Sequence, residues 1–440
     1  MKELKAGGRF IIAVSFLFSL SITLTAVSVR AESPALEQVS LDEAVCLAMQ
    51  KNPTILAEEE ELRKARLNIT RAYAVAMPKV SSQLSASYDD AFTHEHSYGF
   101  SIGLSQPIYS QGKAGILKKQ ADINISKVQS QLLSTSQQVL FQTLRAFYGI
   151  LKTKETLVIT EEALSRLQEH LRVIQLRFEV GQVPETDILR VEAELASAEK
   201  DVIEARNNVK LAKEELKRYI GLKTPVEVIP PPSLQMMVID EESSLMKTAL
   251  DHRHDLRQVR LAQQFAQEGV RLARADFFPK LSLRINYIRN EDRFFPDERG
   301  MQYSGELEIP LFEGGLRFAQ VKEANLEFRK VQLSLEELER DVHLQVTQAS
   351  LDLDKVQASM KATEKEIASA EENLRRVTLQ YREGLASNLD VIDANTLLVR
   401  AKTMYSSLNY DQAIAYFQLL SAIGCLDVNQ VRKSYPSLRF

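Results

Sequence analysis

RFEVGQVPETDIL (177–189) and QYREGLASNLDVI (380–392) each interrupt a long stretch that otherwise has helical periodicity. In both segments a glycine ends the periodic pattern, and an aspartate follows six residues later. The two pairs are Gly181 with Asp187 and Gly384 with Asp390. Because glycine tolerates the positive φ angle that commonly ends a helix, each segment is predicted to reverse the direction of a long helix. The two segments lie 203 residues apart, which indicates an internal repeat.

Other glycines and prolines keep nearly the same spacing. The pairs 203 residues apart are Pro107 with Pro310, Gly112 with Gly315 and Gly221 with Gly424, whereas Pro78 and Pro279 are 201 residues apart. A length difference of two residues between 80–106 and 281–309 accounts for this change. The spacing therefore predicts two tandem repeats, 32–221 and 242–440. They are joined by a linker at 222–241, whose prolines favour an extended chain.

The segments 80–106 and 281–309 alternate apolar and polar residues with a period of two. Val80, Leu84 and Tyr88, for example, alternate with serines and a glutamine. This pattern predicts two hairpins, with four strands of about nine residues that are apolar on one face. That length suits the strands of an outer-membrane β-barrel. A soluble sheet packed on helices is the alternative, but it gives no reason for serine, glycine and charge to fill the whole second face.

Long helices follow each hairpin. They are predicted at 113–180 and 184–220 in the first repeat, and at 316–383 and 387–423 in the second. The first of them would be about 100 Å long at 1.5 Å per residue. Apolar residues recur with a 3-4 spacing, as in Leu164, Leu167, Leu171, Ile174 and Phe178. Sustained 3.5-residue spacing predicts pairs of antiparallel helices packed as coiled coils.

Four strands cannot close into a barrel. In lipid, an open sheet edge would leave backbone N–H and C=O groups unpaired, at a cost of several kcal/mol each. If the hairpins enter a membrane, several chains must share one barrel, and three copies would supply twelve strands. The predicted fold class is thus mainly α-helical with a membrane β-barrel, in which a trimeric 12-stranded barrel continues as an α-helical coiled-coil tunnel.

The N-terminus indicates export. Basic residues precede an apolar run that starts at Phe10, and Val29-Arg30-Ala31 suits a cleavage site, so residues 1–31 are predicted to be a signal peptide. A membrane anchor is the alternative for this run. In an oxidising periplasm the two cysteines, Cys46 and Cys425, could pair.

Composition and motifs argue against several function classes. The net charge of −4 does not suggest a nucleic-acid partner. No nucleophile-base pair, glycine-rich phosphate loop or ligand cluster stands out, so we expect neither an enzyme nor a cofactor. His94-Glu95-His96 and the pair His252 and His254 could bind a metal, but a polar loop and a helix start explain them more simply, and no metal site is predicted.

Five segments together resemble the TolC-like outer-membrane efflux proteins, over nearly the whole mature chain. They are SLDEAVCLAMQKNP (40–53), SQPIYSQGK (105–113), EIPLFEGGL (308–316), FEVGQVPETD (178–187) and YREGLASNLDVID (381–393). The resemblance implies a homotrimer in the outer membrane of a Gram-negative bacterium that extends into the periplasm. It also implies an exit duct for efflux or type I secretion, with a periplasmic adaptor and an inner-membrane pump of RND, ABC or MFS type as partners.

The same resemblance implies a gate at the helix reversals. Asp390 and Asp393 correspond to aspartates that ring the narrowest part of the tunnel entrance, and Thr186, Asp187 and Tyr381 match positions in a network of contacts that keeps it closed. Ala386 stands where the family prototype has an arginine, so that half of the lock is missing. An aspartate in the first turn also complements the helix dipole, which remains an alternative role for Asp187.

The tips of the reversals are the expected docking surface for the adaptor. Their residues are Gly181, Gln182, Val183, Pro184, Gly384, Leu385, Ala386 and Ser387. The alternative function is a periplasmic coiled-coil structural or adaptor protein, which membrane fractionation would distinguish. The transported substrate does not follow from this sequence, because the pump sets most of a duct's specificity.

Overall fold

The computed structural model describes residues 37–89, 95–232, 234–236, 242–291 and 299–435. The predicted signal peptide at 1–31 and His94 lie outside the described residues, as does part of the predicted linker.

The first repeat is built from two short helices, a hairpin and two long helices. In chain order its elements are β1 (Glu37–Val39), α1 (Leu41–Lys51), α2 (Pro53–Ala74), β2 (Lys79–Asp89), β3 (Glu95–Tyr109), α3 (Lys113–Glu179) and α4 (Glu185–Ile220). Helix α1 starts with a capping box in which the Glu43 carboxylate accepts hydrogen bonds of 2.9 Å from both the backbone N–H and the hydroxyl of Ser40. Helix α2 starts where the Asn52 side chain accepts from the Thr54 N–H at 2.9 Å.

The linker strand and the second repeat follow the same order of elements, with an additional helix at the end. These are β4 (Val226–Val228), α5 (Glu242–His252), α6 (His254–Ala275), β5 (Lys280–Glu291), β6 (Arg299–Glu308), α7 (Leu316–Arg382), α8 (Asn388–Ala422) and α9 (Val428–Ser434). Helices α3 and α7 are both 67 residues long, as the repeat leads one to expect. The mainly helical fold is confirmed.

The four hairpin strands form one antiparallel sheet in the order β2-β3-β5-β6. The register places Val80 opposite Leu104, Leu104 opposite Ile285, and Ile285 opposite Tyr303. Since side chains alternate between the faces of a strand, most apolar residues of the four strands lie on one face of the sheet and most of the polar ones on the other. Strands β2 and β6 are the two edges of the sheet.

The long helices lie side by side in the order α4-α3-α8-α7. Helix α3 packs against both α4 and α8, and α8 packs against α7. Nearer the sheet, α2 and α6 pack on α3, and α6 also packs on α7. The row of four helices therefore has α4 at one end and α7 at the other.

The main core lies part-way along the long helices and not at their tips. Its largest buried side chains include Phe147 on α3, Tyr416 and Phe417 on α8, and Tyr435 just after α9. Two parts of it differ from the sequence-based prediction. The proline-rich linker contains a strand, β4, which pairs in parallel with β1 through Val39 and Val228, and the chain after 423 forms α9. Both elements are too short for their periodicity to be recognised in sequence.

Candidate gate and helix tips

Both helix reversals have the same backbone geometry. Gly181 and Gly384 have φ angles of 75° and 79°, as predicted for residues that end a helix. In the first copy, the Gln182 N–H donates to the Arg177 carbonyl at 2.9 Å, and in the second the Leu385 N–H donates to the Gln380 carbonyl at 2.8 Å. These bonds satisfy carbonyls that the ends of α3 and α7 would otherwise leave unpaired.

The returning helices begin differently in the two copies. Helix α4 follows Pro184, which offers no side-chain cap. Helix α8 follows Ser387, whose backbone N–H and hydroxyl donate to the Asp390 carboxylate at 2.8 and 2.7 Å. These hydrogen bonds, chiefly that of the Ser387 hydroxyl, lower the pKa of Asp390 below its ordinary value, so the exposed carboxylate is charged at neutral pH. Asp390 therefore caps α8. This structural role is compatible with a second role in which its charge faces a pore.

Asp393 lies one turn further along α8 and has no such structural role. Its side chain is exposed, and its carboxylate makes no hydrogen bond or ion pair to any residue that the structure describes. The equivalent position in the first repeat is Arg190. An unpaired carboxylate one turn from Asp390, on the same side of a helix, is available to attract a cation.

Tyr381 is the main buried side chain beneath the tips, with 5% of its surface exposed. The Arg177 guanidinium lies 4.6 Å from the centre of its ring, and the His170 ring packs edge-on at 5.3 Å. Burial raises the pKa of Tyr381 above its ordinary value; the charge of Arg177 opposes this, and that of Asp187 adds to it. Within the described residues, the phenol hydroxyl has no hydrogen-bond partner.

Arg177 joins the two repeats at their tips. Its guanidinium donates to the carbonyl oxygens of Tyr381 at 2.9 Å and of Arg382 at 2.7 Å. These are carbonyls of the last turn of α7, where a positive charge also complements the helix dipole.

Asn388, the first residue of α8, is buried and links three helices. Its Oδ1 lies 2.7 Å from Nε2 of His170 on α3, and its Nδ2 donates to the Asp187 carbonyl on α4 at 3.2 Å. The oxygen Oδ1 of the Asn388 side chain can only accept a hydrogen bond. His170 is therefore assigned as protonated at Nε2, and this N–H donates to Oδ1. Asp187 thus takes part in the contact between repeats through its backbone, whereas Thr186 is exposed.

A small apolar cluster lies beneath the tips. Ile174, Val191, Val391 and Ile392 are buried there together with Tyr381. Val183 and Ala386 pack partly against this cluster, and the other predicted docking residues are exposed, including Leu385 with 75% of its surface free. Exposed tips above a packed base leave backbone and side chains free for a partner.

Several side chains that form polar contacts between the repeats near the tips were not predicted from the sequence. These are Arg166, His170 and Arg177 on α3, and Asn388 and Asn395 on α8. A signal was present, because polar residues recur at helical spacing beside the apolar heptads of α3, but polar residues on a long helix usually face solvent. Cys46 and Cys425, which could have paired, are both free thiols.

Two kinds of feature are absent from the described residues. No cluster of histidine, cysteine and acidic residues is arranged to hold a metal ion in that part of the chain. Among the helices described above, none is both long enough and apolar enough to cross a membrane.

Comparison with known families decides the assignment. A model described as "Outer membrane efflux protein" matches residues 45–222 and 245–425, one range in each repeat. The chain belongs to the outer membrane efflux protein family. Members of this family are channel proteins and not enzymes. This chain is therefore an exit duct of the efflux and secretion type. It resides in the outer membrane of a Gram-negative cell and extends into the periplasm.

Individual relatives are distant in sequence. The chain is 23% identical to the outer membrane protein TolC of Escherichia coli (strain K12) over 401 residues, which cover 86% of this chain and 81% of TolC. It is 25% identical to the alkaline protease secretion protein AprF of Pseudomonas aeruginosa over 346 residues, covering 75% of this chain and 70% of AprF.

Solved structures share the fold. CusC superposes with a TM-score of 0.78 at 17% identity, covering 87% of this chain and 92% of that one. The CmeC outer membrane channel of Campylobacter jejuni gives a TM-score of 0.74 at 17% identity, with 90% and 89% covered. Helix and strand order are thus retained at identities where few individual side chains are.

Proposed function

We propose that three copies of this efflux-family chain form one channel, with a 12-stranded barrel in the outer membrane and a helical tunnel in the periplasm. The observation that carries the proposal is the sheet β2-β3-β5-β6, which has two unpaired edges. Three copies joined edge to edge, β6 of one to β2 of the next, would pair every backbone group that lipid leaves unsatisfied. Twelve is an even number within the range of known membrane barrels.

The exposed faces of the sheet support this arrangement. Leu84 on β2 is 82% exposed and Tyr303 on β6 is 71% exposed, both on the apolar face. An apolar face of this extent requires lipid or another protein to cover it. The opposite face carries the serines, glycines and charged residues, among them an ion pair at 3.0 Å between Arg284 and Glu306. That face suits the water-filled interior of a barrel.

The row of long helices supports a tunnel. Its end helices, α4 and α7, lie at the two free edges of the row, and each repeat contributes one antiparallel pair. In a threefold ring, α7 of one copy would meet α4 of the next, and this contact would repeat the packing of α3 against α8. Six similar pairs would then form a closed wall.

The helix reversals would form the periplasmic mouth of this tunnel. Asp390 and Asp393 would bring six carboxylates close together around the axis, where they would favour cations and repel each other. The exposed residues at 181–184 and 384–387 would dock a periplasmic adaptor, through which an inner-membrane pump delivers the substrate. The exit duct thereby serves efflux or secretion.

The proposal is tested in two steps. Full-length protein is expressed and the cell envelope is fractionated; we expect the protein in the outer membrane, and recovery in the soluble periplasm would instead favour a structural or adaptor protein. Purified protein is then inserted into planar bilayers, where we expect discrete channels that prefer cations.

The gate assignment has its own test in the same bilayers. We expect the double variant Asp390→Ala, Asp393→Ala to lose most of the cation preference, because the six carboxylates proposed to lie around the axis are removed. The matched control is Asp352→Ala, Asp354→Ala, which removes two exposed carboxylates from α7 away from the tips. Conductance and selectivity equal to those of the wild type in the first variant would show that the gate lies elsewhere.

A further inference from the structure

We propose that Asn388 is the positioning residue of the constriction, an assignment that rests on the proposed channel function. It holds the first turn of α8 against α3 and α4, so that the carboxylates of Asp390 and Asp393 keep a fixed height and angle at the mouth. Only 4% of its surface is exposed, and both ends of its amide are used.

The contact is one of three that follow a single face of α3. Arg166 Nε donates to Asn395 Oδ1 at 2.9 Å, and His170 Nε2 is hydrogen-bonded to Asn388 Oδ1. Arg177 donates to a carbonyl at the end of α7. Residues 166, 170 and 177 are separated by one and two helical turns, so they form a continuous row. Ile174, fully buried, fills the place between the second and third. This row holds the two repeats together over the last turns before the tips.

The first repeat shows that a helix reversal does not need this amide. The position equivalent to Asn388 is Glu185, which is exposed and also begins its helix, and the position equivalent to His170 is Asn373, also exposed. Both copies nevertheless make the same glycine turn. A buried asparagine at the start of α8 therefore serves the placement of α8 relative to its neighbours and not the turn itself.

The geometry explains why this placement matters. Asn388 precedes Asp390 by two residues, and Asp390 is held by Ser387, so the start of α8 is rigid from 387 to 390. Any movement of α8 away from α3 and α4 must break both amide hydrogen bonds. A buried amide left without partners is strongly disfavoured, so the position of α8 against α3 and α4 is the preferred one, and in this proposal it is the closed state of the mouth.

The test compares single-channel recordings of Asn388→Ala with those of the wild type in planar bilayers under the same salt. Loss of the two hydrogen bonds is expected to lower the closed-to-open ratio by about five- to thirtyfold, the factor that corresponds to one or two such interactions. The closed-to-open ratio of Asn388→Asp is expected to lie between those of the wild type and Asn388→Ala. This variant retains an acceptor for His170 but loses the donor to the Asp187 carbonyl. His170→Ala removes the same contact from the α3 side and gives a second test that leaves α8 unaltered.

The matched control is Ser406→Ala. Ser406 lies on the same helix with 7% of its surface exposed, and its hydroxyl has no partner among the described residues, so gating should not change. If Asn388→Ala and His170→Ala lower the melting temperature but leave the closed-to-open ratio at the wild-type value, Asn388 has only a structural role and the inference is wrong. If the wild type itself forms no channel, the proposed function fails first, and the inference falls with it.

Discussion

At the scale of single residues, His170 is a half-buried titratable group beneath the tips, in contact with Tyr381 and Asn388. Burial lowers its pKa below the ordinary value of 6.5, and the charge of Arg177 acts in the same direction, whereas the hydrogen bond to Asn388 raises the pKa. The folded chain therefore holds the imidazole neutral at a pH where the unfolded chain has begun to take up a proton.

The sign of the pH dependence follows from this difference. Above 6.5 both states are neutral at His170 and stability is unaffected; as the pH falls through 6.5 toward the lower pKa of the folded state, the unfolded state binds more protons and stability is lost. We expect His170→Gln, which can still donate to Asn388, to lose less stability than the wild type in this window, as measured by thermal unfolding. His254→Gln is the control, since burial also lowers that pKa at a distance from the mouth. Identical profiles for His170→Gln and the wild type would contradict the prediction.

At the scale of elements, two helix-ending glycines with the same φ angle differ in what surrounds them. A Cβ atom on Gly181 would meet nothing within 4 Å, whereas on Gly424 it would lie 2.8 Å from the backbone nitrogen of Arg253. We expect Gly181→Ala to cost about 1–2 kcal/mol, the strain of a left-handed alanine. Gly424→Ala should cost more, because the backbone where α6 begins must also move. Denaturant unfolding of the two variants measures the difference, and equal losses would show that the close approach to Arg253 does not matter.

The sheet offers a second comparison at this scale, between adjacent residues that point in opposite directions. Leu84 lies on the apolar face of β2 and Ser85 on the polar face. If the apolar face contacts lipid, Leu84→Arg should cost about 2–4 kcal/mol near the middle of the bilayer, while Ser85→Arg should be tolerated in a wet interior. The amount of each variant in the outer-membrane fraction measures this. Equal loss of both would exclude the assignment of faces.

At the scale of the whole molecule, the single chain has surfaces that it cannot satisfy alone. Within the described part of one copy, strands β2 and β6 each lack a strand on one side and helices α4 and α7 each lack a long helix on one side, and three copies would provide them. We therefore expect native mass spectrometry of detergent-extracted protein to give the mass of three mature chains. A stable species of one or two chains would contradict the closure argument, because neither four nor eight strands with these helices would complete the sixfold wall.

Most of the architecture could be predicted from the sequence, because it depends on local residue preferences that occur in both repeats. Glycine with positive φ and the alternation of apolar and polar residues, as from Val80 to Tyr88, each act over a few residues, and both patterns occur in each repeat. The strand pair β1-β4 and helix α9 were missed, since elements of three or seven residues carry little periodicity of their own.

The sequence by itself determined where this chain turns, which residues alternate across its strands, and that its two halves are equivalent, because backbone preference and periodicity are local. Only the tertiary structure decided which residues meet at the mouth. Arg177 and His170 lie more than 200 positions along the chain from their partners Tyr381 and Asn388, and the contacts of α8 with α3 and α4 arise only when the two repeats pack side by side. It is that packing which turns an ordinary exposed position in one repeat, Glu185, into a buried link in the other, Asn388.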